Sequence, residues 1–131
     1  ICQEFSNLPA DCALILMGHG SSHYANDVYA ALDYRFKDLG FSNIHLATVE
    51  GYPTLENVTR MVKEQEAKKV ILAPFMIVAG DHARNDMSGD DEDSWKNQFR
   101  AAGYDVECRM KGLGEYPAIQ DMLIRHVTEV C

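Results

Sequence analysis

The chain has 131 residues, with 20 acidic against 12 basic side chains and a formal net charge of −8 at pH 7. This length and a 47% share of hydrophobic residues are typical of one globular domain with its own core, which excludes disordered and fibrous proteins. Because an acidic chain repels phosphate backbones, we expect no nucleic acid partner.

Cysteine usage and hydropathy limit the class of protein further. The four cysteines form no CxxC pair and are too sparse for a disulfide framework, so we expect them to be reduced. The longest apolar stretches, 13–17 and 70–79, are shorter than the roughly 20 residues that cross a bilayer. The chain begins with Ile1, so we expect its native start to have been removed. We expect a cytoplasmic protein without membrane contact, and the periplasm stays open as an alternative.

The first strand–helix unit is predicted at residues 13–39. The apolar run 13–17 ends at Gly18-His19-Gly20, which is typical of a buried strand followed by a tight loop. Ser21 and Ser22 are candidate caps for a helix from about Tyr24 to Leu39. The predicted apolar stripe of this helix consists of Val28, Leu32, Phe36 and Leu39.

A second unit and a central strand follow. The second strand is predicted at residues 44–49, and the break at Gly51-Tyr52-Pro53 leads to a helix with Thr54 as its cap. The apolar stripe of this helix would be Leu55, Val58, Met61 and Val62. Residues 69–79 predict a third strand, whose unbroken apolar character is typical of a strand buried on both faces.

The rest of the chain predicts a long polar loop, two helices and a fourth strand. The acidic run 90–93 is expected to cap and solvate a helix that carries Trp95, Phe99 and Ala102. The fourth strand is predicted at residues 105–110. Pro117 opens the last helix, which carries Ile119, Met122, Leu123, His126 and Val127.

Strands and helices thus alternate four times. This alternation predicts parallel strands joined by right-handed crossovers, with helices on both faces of the sheet. The predicted fold class is α/β, a three-layer sandwich with a four-stranded parallel sheet, and residues 1–131 form a single domain.

Three candidate ligands follow the predicted strands: His19 the first, Glu50 the second and His82 the third. The carboxyl ends of parallel strands share one edge, so we expect these side chains to meet there. Two imidazoles and a carboxylate suit a borderline divalent metal such as cobalt, nickel, iron or zinc. Each residue taken singly could equally cap a strand; their convergence favours a metal site.

The other histidines are not predicted to be ligands. His23 lies close to His19 in sequence but is interpreted as a rim residue, because Gly18 and Gly20 place His19 in a loop. His45 starts a strand, at the wrong end of the sheet, and His126 lies in the last helix, so both are predicted to be structural. Phosphate-binding and serine-hydrolase glycine motifs are absent.

Several segments resemble the anaerobic sirohydrochlorin cobaltochelatases of the CbiK type, relatives of the class II chelatases. The similarity lies in MGHGSSH (17–23), VEGYP (49–53), VAGDHARNDM (78–87), DSWK (93–96) and GLGE followed by PAI (112–119). The resemblance covers nearly the whole chain and implies a chelatase-like fold. It also implies insertion of a divalent metal into sirohydrochlorin or precorrin-2 in cobalamin biosynthesis.

The resemblance implies roles for individual residues. His19 corresponds to the family's metal-binding histidine and proposed proton acceptor, and Glu50 and His82 complete the metal site. The predicted catalytic residues are His19 and Glu50, with Glu50 as a charge-balancing group and proton relay. Family members have two similar halves, and this chain looks like the C-terminal half. We therefore expect a missing N-terminal half, or a second copy of the chain, as the partner. The metal is expected to be a substrate, cobalt, with nickel or iron as alternatives, and no organic cofactor is expected.

The tetrapyrrole substrate carries many carboxylates, so an acidic chain needs local basic groups. Substrate binding is assigned to Gly20, Ser21, Gly80 and Arg84, because glycines permit close backbone approach and Arg suits carboxylates. Lys96 and Lys111 are further basic candidates at the same edge, and all three cations could equally be solvated surface charge. Two other functions stay open: a non-catalytic metal- or tetrapyrrole-binding module and, ranked last, a non-haem iron oxygenase.

Overall fold

A computed structural model describes residues 1–131, and its strands form one parallel sheet. The strands are β1 (Cys12–Gly18), β2 (Ile44–Thr48), β3 (Lys69–Pro74) and β4 (Asp105–Cys108). Their order in the sheet is β2-β1-β3-β4. β2 lies on one side of β1 and β3 lies on the other, so a topological switch point lies between β1 and β3.

Helices cover both faces of the sheet, which confirms the predicted α/β sandwich. They are α1 (Asp27–Asp38), α2 (Leu55–Glu64), α3 (Trp95–Ala101) and α4 (Pro117–Val130). Ala13, Ile15 and Met17 of β1 pack in one core cluster with residues of α2 and α3. Leu14 and Leu16 point to the other face, where they pack with Phe36 of α1 and Phe5 of the amino-terminal segment. Burial on both faces explains the unalternated apolar sequence of β1.

The strand boundaries correct the sequence-based ones at their carboxyl ends. The prediction that β3 continues to Ala79 was wrong, because its register partners end at Met17 and Cys108 and no neighbouring strand accompanies residues beyond Pro74. Ile77 and Val78 are exposed. The predicted long polar loop is also wrong in part, since His82–Met87 forms a π-helical turn. β2 and β4 end at Thr48 and Cys108, one and two residues earlier than predicted.

The amphipathic patterns proved right for α2 and partly wrong for α1. Thr54 caps α2 in a capping box with Asn57, and Val58 and Val62 are buried, although Met61 is exposed. The predicted single helix from Tyr24 is instead a 3₁₀ turn, Tyr24–Asn26, followed by α1. The 3₁₀ turn is capped by His23, not by Ser21 or Ser22.

The apolar stripe predicted for α1 is mostly not core. Phe36 is buried and Leu32 packs partly against the same cluster, but Val28 and Leu39 are exposed. On the opposite face, α3 buries Trp95 and Phe99, whereas Ala102 lies past its end and is exposed. The sequence pattern therefore overstates how much of α1 the sheet covers.

α4 is an exception among the helices. Pro117 occupies its first turn as predicted, yet none of its residues is buried. Met122, Leu123, Ile124 and Val127 are about half exposed or more. The helices are all too short or too polar to span a bilayer. None of the four cysteines is disulfide-bonded.

Candidate metal centre

The three predicted ligands lie together at the carboxyl edge of the sheet. His19 directly follows β1, Glu50 lies just past β2, and His82 opens the π-helical turn after β3. One possible ligand atom from each residue lies within 4.8 Å of the other two. Ligands bound to one ion at about 2.1 Å lie at most about 4.2 Å apart, so a small inward movement brings all three onto a common ion. We call His19, Glu50 and His82 the rim triad.

The loops that carry His19 and Glu50 continue the pairing of their strands. The Val49 amide donates to the Gly18 carbonyl at 3.0 Å, and the Glu50 amide donates to the His19 carbonyl at 2.9 Å. Gly20 has φ +82°, and a Cβ there would lie 2.6 Å from the Gly51 nitrogen. Only glycine permits this close approach without strain, so the sequence Gly18-His19-Gly20 sets the position of the imidazole beside the Glu50 loop.

Asn26 is a positioning residue that the sequence analysis missed. Its Oδ1 accepts from the Ser21 amide at 2.9 Å, and its Nδ2 donates to the Tyr52 carbonyl at 2.7 Å. The side chain is buried and joins the loop after β1 to the loop after β2. No spacing in the sequence marks an asparagine in a 3₁₀ turn as a bridge to a segment 26 residues away.

The rim triad has a defined hydrogen-bonding environment. His19 Nδ1 lies 2.8 Å from the Gly20 carbonyl oxygen and 3.7 Å from Glu50 Oε2. His82 Nδ1 lies 2.5 Å from Asp86 Oδ2. The two imidazole rings meet edge to face, with centroids 4.7 Å apart. All three side chains are partly open to solvent, so an ion can reach them without unfolding the rim.

The predicted substrate contacts lie along the same edge. The Ser21 amide donates to Asn26 Oδ1, and the Arg84 amide donates to the Gly80 carbonyl at 3.0 Å. Gly80 has open space around its Cβ position, so the backbone does not require glycine there. The Arg84 side chain is exposed and forms no ion pair, whereas Lys96 pairs with Asp90 and Lys111 lies over the Tyr116 ring.

The other histidines have different partners. His23 Nδ1 accepts from the Ala25 amide, and His126 is exposed on α4. His45 is buried, with both ring nitrogens engaged by Lys37 and Gln65, and burial lowers its pKa. None of these rings adds a free nitrogen to the rim triad.

The rim triad is an open surface. None of the five cavities of the chain is lined by His19, Glu50 or His82, and the cavity with the largest volume, about 440 Å³, lies near the amino ends of β1, β3 and β4. Two imidazoles and a carboxylate without thiolates suit reversible binding of a borderline divalent ion with coordination positions left open. An ion held by the rim triad would therefore be open to the solvent side.

Comparison with known proteins gives a consistent result. A family model described as cobalt chelatase (CbiK) matches residues 1–131. The chain is 40% identical over 125 residues to the sirohydrochlorin cobaltochelatase of Salmonella typhimurium strain LT2, covering 95% of this chain and 47% of the relative. It is 33% identical over 127 residues to the sirohydrochlorin cobaltochelatase CbiKC of Nitratidesulfovibrio vulgaris strain Hildenborough, covering 94% and 45%. The chain thus spans about half the length of these curated relatives.

Proposed function

The chain belongs to the cobalt chelatase (CbiK) family, and from this premise we propose that it supplies the metal-binding half of an enzyme that inserts Co²⁺ into sirohydrochlorin. The observation that carries the proposal is the convergence of three ligand atoms from His19, Glu50 and His82 within 4.8 Å. The two relatives named as sirohydrochlorin cobaltochelatases support the choice of metal and substrate. Nickel and iron are alternative metal substrates for the same donor set, and precorrin-2 is the alternative macrocycle.

The chemistry needs a site that holds an ion and later releases it. Structural zinc sites built from thiolates bind with about 10–16 kcal/mol at neutral pH and retain their ion. Imidazole and carboxylate ligands without thiolates favour exchange instead. In our proposal His82 holds the ion, while Glu50 balances its charge.

Insertion also removes two protons from the pyrrole nitrogens of the macrocycle. We assign His19 as the acceptor of one of them, because an imidazole released by its ion can take up a proton at physiological pH. Glu50 is proposed to relay the other proton to solvent. The Nδ1 of His19 faces the Gly20 carbonyl, so its Nε2 is the atom that binds the ion and later the proton. Glu50, 3.7 Å from the ring, stabilises the imidazolium that results.

The peripheral carboxylates of the macrocycle need a cation at the rim. Arg84 is the proposed partner, because its guanidinium is exposed, forms no ion pair and offers bidentate geometry. Gly20, Ser21 and Gly80 are proposed to line the path of the ring edge, where a small side chain or none permits close approach.

A second half is proposed to complete the site. The open rim, the exposed apolar side chains of α4 and the half-length match to both relatives support this proposal. An N-terminal half like that implied by the family resemblance is the proposed partner, and a second copy of this chain is the alternative. We also propose a cytoplasmic location, which the four free cysteines support.

The test is an insertion assay. The chain, alone and with the half of the Salmonella relative that it does not match, is incubated with sirohydrochlorin and Co²⁺ while the absorption spectrum is followed. Conversion to the metallated spectrum with both halves present supports the proposal. Binding of Co²⁺ or macrocycle without conversion, under the same conditions, would favour the non-catalytic binding module instead.

A further inference from the structure

The two imidazoles of the rim triad have their Nδ1 atoms held by different acceptors. His82 Nδ1 contacts Asp86 Oδ2 at 2.5 Å, and His19 Nδ1 contacts the Gly20 carbonyl oxygen at 2.8 Å. A carbonyl oxygen and an ionised carboxylate accept hydrogen bonds and donate none. Each Nδ1 must therefore carry the proton of its bond, and the lone pair of each neutral ring is left on Nε2.

The π-helical turn fixes Asp86 relative to His82. Residues four apart in a helical turn are neighbours, and two such pairs lie side by side here. Ala83 and Met87 are fully buried against the core, whereas His82 and Asp86 face the rim. The turn is closed by the Ser88 amide, which donates to the Ala83 carbonyl at 3.1 Å. The core thus anchors the backbone that presents both members of the His82–Asp86 pair.

Resting on the function proposed above, we propose that Asp86 is a positioning residue of the metal centre, whose carboxylate holds Nδ1 of His82 and so directs Nε2 to the ion. Asp86 is not among the residues whose ligand atoms lie within 4.8 Å of one another. We therefore place its carboxylate in contact with the His82 ring and not with the ion. Carboxylates in this position fix the orientation of a ligating histidine and raise its basicity.

The two acceptors also predict different ligand strengths for the two histidines. A charge-assisted hydrogen bond is about twice as strong as a neutral one, so His82 becomes the stronger imidazole ligand and His19 the weaker. The weaker ligand leaves the ion first. This order gives His19 a free Nε2 at the stage when the macrocycle loses its protons, while His82 still holds the ion.

Co²⁺ affinity of the 131-residue chain tests the proposal, measured by calorimetry and by the visible absorption of bound Co²⁺. Asp86→Ala removes the acceptor and should weaken binding by about 10–100-fold. Asp86→Asn keeps a neutral acceptor like the one that His19 has, and it should fall between wild type and Asp86→Ala. Asp81→Asn is the matched control, because it removes one exposed charge beside His82 that makes no hydrogen bond to the ring. Equal affinities for Asp86→Ala and Asp81→Asn would overturn the proposal.

A second measurement uses the wild-type chain without metal, so it does not depend on a variant that folds. Two-bond ¹H–¹⁵N spectra of the neutral wild-type imidazoles, recorded at alkaline pH, report which nitrogen of each ring is protonated. We expect Nδ1–H for both His19 and His82. An Nε2–H ring at His82 would contradict the proposal even if Asp86 variants bind Co²⁺ poorly.

The two proposals fail in different ways. A wild-type chain that binds Co²⁺ but never metallates sirohydrochlorin, even with a second half, contradicts the proposed function and leaves the graded effect of the Asp86 variants intact. A chain that metallates sirohydrochlorin with unchanged Co²⁺ affinity in Asp86→Ala contradicts the role of Asp86 alone.

Discussion

Histidine and carboxylate side chains meet in two regions of this molecule. In the rim triad, His19, Glu50 and His82 are partly exposed, and their Nε2 atoms and the Glu50 carboxylate form no hydrogen bond within the chain, although Glu50 Oε2 lies 3.7 Å from His19 Nδ1. At the free edge of β2, His45 contacts Lys37 at 3.3 Å and Gln65 at 2.9 Å. We call this second group, with Asp33 and Lys37, the edge cluster.

The edge cluster serves the sheet rather than a ligand. Asp33 accepts from the Leu46 amide at 2.8 Å, and Lys37 donates to the Ile44 carbonyl at 2.7 Å. These two side chains of α1 pair the outer backbone groups of β2, which a neighbouring strand would otherwise pair. Lys37 also donates to Asp33 at 2.6 Å.

The rim triad and the edge cluster have similar side chains in different surroundings. Residue type does not distinguish them, since each region contains an imidazole near a carboxylate. They differ in whether the imidazole and carboxylate groups are already hydrogen-bonded within the chain, and in how far their side chains are exposed to solvent. Changes in the rim triad should therefore affect function and spare stability, and changes in the edge cluster should do the reverse.

The largest expected effect is on activity. His19→Ala should lower the rate of Co²⁺ insertion by the two-half protein by about 10²–10⁴-fold, the usual contribution of a positioned acid or base. The free energy of unfolding should change by less than about 0.5 kcal/mol, because the side chain is half exposed and makes no core contact. Initial rates with sirohydrochlorin and urea unfolding curves measure the two quantities.

His23→Ala is the control for His19→Ala, since His23 is exposed at the same rim but its Nδ1 accepts from the Ala25 amide. This variant should retain insertion within a few-fold. Full activity in His19→Ala would remove His19 from its role as proton acceptor, and with it the contrast between the rim triad and the edge cluster.

The next largest effect is on stability. Asp33→Ala leaves the Lys37 ammonium half-buried without its carboxylate and the Leu46 amide without an acceptor. We expect a loss of about 2–4 kcal/mol, since removing one partner of a buried pair costs about 3–5 kcal/mol and this pair keeps some exposure to solvent. Urea unfolding measures the loss, and Co²⁺ affinity should be unchanged.

Asp38→Ala tests the same charge change on the same helix. Asp38 pairs with Arg35 at 3.3 Å in an exposed ion pair, which contributes about 0–1 kcal/mol. Combining Asp33→Ala with Lys37→Met should recover part of the lost stability, because the unpaired charge is then gone. If Asp33→Ala were no more destabilising than Asp38→Ala, the edge cluster would not support β2.

Asn26 supports both the fold and the position of the rim triad, so its variant should moderately lower both stability and Co²⁺ affinity. Asn26→Ala removes the hydrogen bonds to the Ser21 amide and the Tyr52 carbonyl, so we expect the free energy of unfolding to fall by about 1–3 kcal/mol. The loops of His19 and Glu50 also lose their bridge, and Co²⁺ affinity should fall by about tenfold. Asn43→Ala removes a comparable amide bond, to the Cys12 carbonyl at the other end of the sheet, and should lower stability alone.

The sequence predicted strands and helices well where the signal is local. Apolar runs gave β1 and the start of β3, and Thr54 gave the start of α2, because burial on two faces and capping leave marks on neighbouring residues. The end of β3 was missed because it depends on where the partner strands stop. The predicted apolar residues of α4 are not buried in this chain, since amphipathicity signals a partner without identifying it.

The rim triad follows from one topological rule, that parallel strands place their carboxyl ends at one edge. His19, Glu50 and His82 are therefore brought together as predicted, while their binding of a metal stays a prediction. Asn26 and Asp86 could not be found this way. Their roles depend on hydrogen bonds across loops and within a π-helical turn, whereas the sequence predicted part of a helix at Asn26 and a polar loop at Asp86.

The smallest expected effect is a pH dependence from His45. Burial lowers the pKa of this imidazole, with Lys37 opposing the charged form and Gln65 and Asp33 favouring it. The unfolded chain therefore binds a proton more readily than the folded chain, so stability is complete above the unfolded pKa of about 6.5 and declines as the pH falls below it. One group can contribute at most about 1.4 kcal/mol per pH unit, and the decline stops at the folded pKa. His45→Gln should reduce the slope of unfolding free energy against pH between about 6.5 and 5, with the four other histidines unchanged in both proteins. An identical slope in the two proteins would mean that burial does not shift the pKa of His45, and burial would then not set the edge cluster apart from the rim triad.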